Sequence, residues 1–270
     1  MKADLLDVST HFQFGENWAQ YSALVDDRRI ADAVDSVRAL IGDVKGKTFL
    51  DIGSGSGLFS LAALRLGASE VLAIDLDEIS VATTRKLLAR EDKARWRAEK
   101  MSVFDLPDKV KRRFDVVYSW GVLHHTGDMW RAIDVAGRMV ADKGLLAIAL
   151  YERTPLCSAW TVEKRVYRKL PSLAQKLIRG SYMTAWGAGM LAKGYNPWRR
   201  LREGHERGMD VARDAHDWLG GYPYESTRPD EVGAFLNDRG FARRKLVQWP
   251  VRLGGLFGSG CTEYVFVKDR

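Results

Sequence analysis

Residues 48–75 read Thr48-Phe49-Leu50-Asp51-Ile52-Gly53-Ser54-Gly55-Ser56-Gly57-Leu58-Phe59-Ser60 and, after LAALRLGASE, Val71-Leu72-Ala73-Ile74-Asp75. The apolar run TFLDI predicts a buried strand, LFSLAALRLG a helix, and EVLAIDL a second strand. Between the first strand and the helix the chain must turn tightly, and Gly53, Gly55 and Gly57 remove the Cβ atoms that would keep a ligand away from the backbone.

The alternation continues outward. EISVATTRKLLARE reads as a helix, Trp96 to Met101 as a weaker strand, FDVVYSW as a strong one, Met129 to Val140 as a helix, and GLLAIALY as a strand after the turn ADKG. Strands separated by helices of this length imply a parallel, doubly wound α/β sheet whose ligands sit at the carboxyl ends of the strands. From Arg153 the pattern changes. The segment to Ala215 is basic, aromatic and helical in period, with Pro171 and Pro197 as breaks, and reads as an inserted helical lid. A helix stopped by Gly240 and the strands FARRKLVQWP and TEYVFVK complete seven strands with an antiparallel finish. The expected organisation is a helical cap over residues 1–46, a ligand-binding domain over 47–152 and 216–270, and a lid over 153–215.

The 270 residues are 46% hydrophobic and 29% charged, enough apolar material for one large core. No apolar run follows MKADLLDVST, and no stretch of about 18 uncharged apolar residues occurs, so a cytoplasmic location is expected. Cys157 and Cys261 lack metal-ligand spacing and read as reduced, structural residues; no metal is expected. The net charge is +7, and between Tyr151 and Arg213 Lys and Arg outnumber Asp and Glu by more than two to one. Such a run is either a solvated helix face or a surface for anionic partners, including lipid headgroups or RNA. No RNA-recognition module is present, and oligomeric state is not readable.

The glycine spacing is G-x-G-x-G with Asp51 two residues ahead, whereas a dinucleotide fingerprint needs a third glycine where Leu58 or Ser60 stands. That spacing disfavours an NAD-dependent oxidoreductase. Asp75, at the end of the second strand, can accept from both hydroxyls of a ribose, or cap the next helix. Loop and acid together narrow the ligand to a nucleoside-bearing cofactor.

From Thr48 to Leu150 the sequence resembles the class I S-adenosylmethionine-dependent methyltransferases, in particular the bacterial group of ubiquinone-type and sugar O-methyltransferases; the tail from His216 to Lys268 resembles them more loosely. The resemblance implies a Rossmann-like fold with S-adenosylmethionine as cofactor. Gly53, Ser54 and Gly55 would cradle its methionine part with Asp51 near the amino group, Asp75 would hold the ribose, and Leu76 would pack on adenine. Ser102 and Val103 occupy the adenine-binding stretch, with Ser102 where an acid is usual and Asp105 as a substitute; Asp105 reads equally well as a turn residue. Ser119 and Trp120 would border the methionine. The leader's Trp18, Tyr21 and Arg29 would cover the cofactor, Arg29 pairing with its carboxylate.

Within GVLHHTGD, His124 matches a pocket-facing position and His125 one that packs behind it, on the substrate side. His124, with His216, is the candidate base for an oxygen acceptor. Trp218, Tyr222 and Tyr224 are candidate substrate contacts, or an ordinary aromatic hinge. The absence of a D/N/S-P-P-aromatic motif argues against methylation of DNA bases. The family resemblance implies as acceptor a small molecule carrying a sugar, glycolipid, phenol or quinone hydroxyl. The rival from another class is a basic membrane-surface or RNA-binding module without catalysis.

Overall fold

The computed structural model describes residues 11–12, 14–15, 18, 25–192, 194–199, 211–248 and 252–269. Helix α1 (Asp27–Ile41) precedes β1 (Thr48–Ile52), α2 (Leu58–Arg65), β2 (Glu70–Asp75), α3 (Glu78–Leu88) and β3 (Trp96–Lys100). A one-turn helix α4 (Leu106–Lys109) leads to β4 (Phe114–Trp120), α5 (Met129–Arg138) and β5 (Val140–Tyr151). Helices α6 (Cys157–Tyr167), α7 (Ser172–Ala192) and α8 (Val211–Gly220) come before α9 (Pro229–Asn237), β6 (Phe241–Val247) and β7 (Cys261–Lys268).

The seven strands form one sheet in the order β3-β2-β1-β4-β5-β7-β6. All neighbours are parallel except that β7 runs antiparallel to both β5 and β6. This is the Rossmann-like arrangement with an antiparallel finish that the strand count implies. The order reverses between β1 and β4, so the loops leaving these strands diverge and open a crevice at their carboxyl ends.

Side chains on alternate strand positions feed two cores, as the pleat requires. On one face Phe49, Val71 and Ala73 pack with Val37 of α1, Leu61 of α2 and Val81 of α3. On the other, Leu50, Ile52 and Leu72 pack with Ile133 of α5 and Leu236 of α9. Each such fully buried side chain contributes roughly 1.5–3 kcal/mol relative to exposure, which fixes the strand ends that carry the crevice. Helix α1 begins at Asp26, whose carboxylate accepts from the Arg29 backbone N–H at 2.8 Å.

The expected turn ADKG is absorbed into β5, which starts at Val140 because that residue pairs with Phe114. The register then slips, and Lys143 takes φ +62° inside the irregularity. A third, aromatic cluster (Tyr167, Trp218, Leu219 and Tyr224, with Tyr151 and Trp160 against it) joins α6 and α8 to the end of β5. Among the described residues no helix is long and apolar enough to cross a membrane.

Candidate active site

A cleft of 860 Å³ lies at the carboxyl ends of β1, β2 and β4. Its floor is the glycine loop after β1. Gly53 has φ +78°, and a Cβ there would come within 2.4 Å of the Val122 side chain; Gly55 has φ +53°, and a Cβ there would lie 3.1 Å from the Trp18 indole. The loop is held down on both sides. The Gly53 and Ser54 N–H groups donate to the Ile74 carbonyl at 2.8 and 3.0 Å, and Gly55 N–H donates to Asp75 Oδ2 at 2.9 Å. Asp75 Oδ1 accepts from Asp77 N–H at 2.9 Å. Each carboxylate oxygen keeps a further lone pair for a ligand hydroxyl. Burial pushes the Asp75 carboxyl up to about 6.

Leu76 and Ile79 stand partly exposed beside Asp75 on the cleft wall, with Ser102, Val103 and Phe104 also lining it. Apolar surface kept in a cleft beside a carboxylate suits a flat base attached to a ribose. The Ser102 hydroxyl accepts from Phe104 N–H at 3.3 Å, capping the turn Val103–Asp105. Asp105 pairs instead with Lys109 at 2.9 Å and does not line the cleft.

Several expected contacts lie elsewhere. Asp51 is buried behind the loop, where its Oδ2 accepts from the Ser60 hydroxyl at 2.6 Å, and burial pushes its carboxyl up to about 7. It supports the turn rather than facing the cleft. Ser119 is fully buried and donates to the Ile52 carbonyl at 3.0 Å, tying β4 to β1, while its neighbour Trp120 lines the cleft. Of the leader residues, Trp18 lines the cleft, Arg29 lies outside it in an ion pair with Asp26, and Tyr21 falls outside the described residues.

The two histidines exchange the places expected of them. His124 is fully buried; its Nδ1 accepts from Tyr151 N–H at 3.3 Å and its ring lies 3.8 Å from that of Tyr151. That bond puts the proton on Nε2, which finds no hydrogen-bond partner among the described residues, and burial holds the pKa well below the usual value. His125 lines the cleft. Its Nδ1 is 2.7 Å from the Pro223 carbonyl, which can only accept, so Nδ1 carries the proton and Nε2 is the acceptor. Burial lowers its pKa to about 3, leaving it neutral at physiological pH.

His216 is turned away from the cleft, its Nδ1 2.9 Å from the Tyr167 hydroxyl. Trp218 lines the cleft, but Tyr222 and Tyr224 do not. The Tyr222 hydroxyl accepts from Arg165, and the Tyr224 hydroxyl donates to Ser259 at 3.0 Å with Cys157 Sγ at 3.2 Å. Both tyrosines hold the wall from behind. Sequence reasoning missed Tyr151, Tyr182, Trp186, Phe257 and Glu263, which complete the cleft's far end. The aromatic density of the segment after Tyr151 was the available signal for Tyr182 and Trp186; Glu263, on the last strand, offered none.

Comparison with known proteins decides the family. A family model described as a methyltransferase domain matches residues 50–146. A ubiquinone biosynthesis O-methyltransferase of Xanthomonas oryzae is 32% identical over 172 residues, covering 58% of this chain and 70% of that protein. The chain belongs to the class I S-adenosylmethionine-dependent methyltransferases.

A ubiquinone biosynthesis O-methyltransferase of Alkalilimnicola ehrlichii is 28% identical over 158 residues, covering 57% of this chain, which spans 63% of that relative's length. Among solved structures, the magnesium protoporphyrin IX methyltransferase of Synechocystis with bound S-adenosylhomocysteine superposes with TM-score 0.52 at 15% identity, covering 89% of this chain and 82% of that one. That likeness is one of fold. The cleft of this chain fits S-adenosylmethionine on its own terms. Gly53 and Gly55 carry the turn at positive φ with Val122 and Trp18 packed against it, Asp75 ends its strand with acceptor capacity, and exposed apolar residues flank it.

Proposed function

We propose that this methyltransferase transfers the methyl group of S-adenosylmethionine to a hydroxyl of a small, ring-containing molecule. The observation that supports this reading best is the continuity of one cleft from Gly55 and Asp75, through Trp120, to a far end lined by His125, Tyr151, Trp218 and Trp186. At 860 Å³ it lies in the upper part of the range for small-molecule sites, consistent with two ligands end to end. Of the expected acceptors, a phenol or quinone-derived hydroxyl suits these aromatic walls better than a sugar or glycolipid.

When bound, S-adenosylmethionine supplies a methyl group on a positively charged sulfur, electrophilic without further activation. The chain's own work is binding and alignment. Asp75 would hold the ribose hydroxyls, Leu76 and Val103 the base, and the Gly53–Gly55 turn the methionine portion. Rings around the far end exclude water and hold the acceptor plane. Alignment of this kind supplies on the order of 7–11 kcal/mol of a two-body barrier.

His125 Nε2, an acceptor on the cleft wall, would hold the acceptor hydroxyl by a hydrogen bond. A histidine held this far below neutrality is a weak base, so its principal contribution is orientation. It remains able to take the strongly acidic proton of an oxygen that has just gained a methyl group. His124 and His216 bear on the reaction only through the positions of Tyr151 and Tyr167.

Calorimetry with S-adenosylhomocysteine, followed by transfer from methyl-labelled S-adenosylmethionine to a panel of hydroxylated, amino and carbon acceptors, tests this. Binding of the product analogue and labelling of oxygen are expected. No binding at millimolar concentration, or label found on nitrogen or carbon, refutes it.

A further inference from the structure

We infer that Gly221 is the positioning residue of His125: from the strap that leaves α8 it gives the imidazole edge the space in which Nε2 remains a hydrogen-bond acceptor on the cleft wall, a space that any side chain would take. This rests on the reading of His125 as the group that holds the acceptor hydroxyl, and adds to it the part of the chain that sets the ring.

The geometry starts at the end of α8. Gly221 is buried, and its N–H donates to the Asp217 carbonyl at 2.8 Å, so the last turn of the helix fixes its place. A Cβ on this residue would come 2.7 Å from His125 Cε1 and 3.3 Å from His125 Nε2, with the Asp217 carbonyl oxygen at 2.9 Å. Backbone on one side and an imidazole on the other leave a methyl group no room unless the ring withdraws. The edge it would meet is the one that carries the acceptor nitrogen.

The same strap holds the rest of the histidine. Two residues beyond Gly221 the Pro223 carbonyl accepts from His125 Nδ1–H at 2.7 Å, and two further on Glu225 N–H donates to the His124 carbonyl at 3.0 Å. Ring and backbone are thus set from one segment. That segment is tied down at both ends: the Tyr222 carbonyl accepts from Phe12 N–H at 2.9 Å, and Thr227 N–H donates to the Tyr151 carbonyl at 3.0 Å. The rings of His124, Tyr151 and Phe14 stand around the imidazole at centroid distances of 4.4, 5.3 and 5.3 Å. A side chain at position 221 therefore turns the imidazole and stretches its bond to Pro223, rather than moving the strap. Once that bond is lost either ring nitrogen can carry the proton, and a ring protonated at Nε2 can no longer accept from a hydroxyl in the cleft.

The tautomer of the ring reads this directly. Long-range proton–nitrogen correlation spectra of the full chain at neutral pH, with and without S-adenosylhomocysteine, identify His125 by the signals that vanish in His125→Ala. The wild-type ring is expected to be neutral and protonated at Nδ1. Gly221→Ala should raise the share of the form protonated at Nε2 by at least about tenfold, while affinity for S-adenosylhomocysteine stays within about threefold in calorimetry. A double-mutant cycle isolates the contact: Gly221→Ala should lower Tm by ~4 °C more in the wild-type chain than in His125→Ala, where the ring it meets is gone. Should Gly221→Ala alone fail to fold, a folded double variant gives the same answer.

An unchanged tautomer in Gly221→Ala, a wild-type ring already protonated at Nε2, equal Tm losses with and without the imidazole, or a double variant as unfolded as the single one overturns the inference. These signals belong to the ring and not to the transfer. Failure of S-adenosylhomocysteine to bind, with the ring signals as expected, instead overturns the reading beneath it.

Discussion

At the adenosyl end the cleft is walled by a glycine turn and one carboxylate, all between Gly53 and Asp77 and tied to one another by hydrogen bonds of 2.8–3.0 Å. At the acceptor end they are side chains from β4, β5, α7, α8 and β7, and the bond that joins Trp120 to Glu263 spans 143 positions in sequence. The first end is a property of the backbone and follows from the fold. The second is a property of side chains laid over it, so one scaffold can exchange acceptors without disturbing its cofactor.

The largest expected effect on ligand affinity tests that separation. Gly53→Val would place a branched side chain where a single Cβ already meets Val122 at 2.4 Å, at φ +78°. Affinity for S-adenosylhomocysteine should fall by more than about a hundredfold, ~2.8 kcal/mol, in calorimetry, whereas Glu263→Gln should leave it within about threefold. Comparable losses from both variants would show that the two ends are coupled.

The same contrast explains what could be read from sequence. Gly53, Gly55 and Asp75 are legible because strand, turn and second strand follow one another within a few residues, and the sheet order decides where they point. Adjacent residues in a tight turn lie on different sides of the chain, and the turn Leu123–His125 holds both histidines. Sequence therefore locates the pair, but the Pro223 carbonyl and the Tyr151 N–H decide which member faces the cleft. Tyr222 and Tyr224 look like ligand contacts by composition. They turn inward because Arg165 and Ser259, from distant segments, offer them partners. Asp51 looks like a ligand by its spacing and is a support, since Ser60 lies on the same buried side of α2.

His125→Ala should lower kcat by roughly 10- to 100-fold, below the full range of a general base because the role is orientation, with cofactor affinity unchanged in calorimetry. His124→Ala should act on stability, measured by thermal melting, more than on kcat. Because burial holds His125 near 3, the kcat profile should show no acidic limb around pH 6.5. A limb there that vanishes in His125→Ala would mean that this histidine titrates in the ordinary range and acts as a conventional base.

Asp51 sharpens the account of the cofactor end through pH. Its folded pKa of about 7 lies above the ordinary 3.8, so the folded state holds the proton more tightly than the unfolded chain. The stability this provides is complete below about pH 4 and is lost as pH rises through about 7. The shift corresponds to on the order of 4 kcal/mol. Asp75, raised to about 6, adds to the same window. Denaturant unfolding should therefore show stability declining between pH 4.5 and 7.5, and Asp51→Asn should reduce that decline while retaining the Ser60 contact. An equal decline in the variant would place its source elsewhere.

The smallest effect concerns the acceptor end, where Lys164 is buried beneath Trp218. Burial holds its ammonium well below the usual lysine range, so stability tied to this group rises with pH toward that range and is lost as pH falls. Removing an ammonium from water costs several kcal/mol. Against this stand a charged hydrogen bond to the Trp218 carbonyl, about 1.5–3 kcal/mol, and a ring contact at 3.6 Å worth about 2 kcal/mol when desolvated. The terms nearly cancel. Lys164→Met, similar in length and uncharged, should raise stability by only about 1 kcal/mol, a Tm increase of ~2–4 °C, at pH 6, and by less near pH 10, where the lysine is already neutral. A lower Tm at pH 6 would show that the aromatic cage outweighs desolvation, making the acceptor wall as dependent on a single polar anchor as the glycine loop is on Asp75.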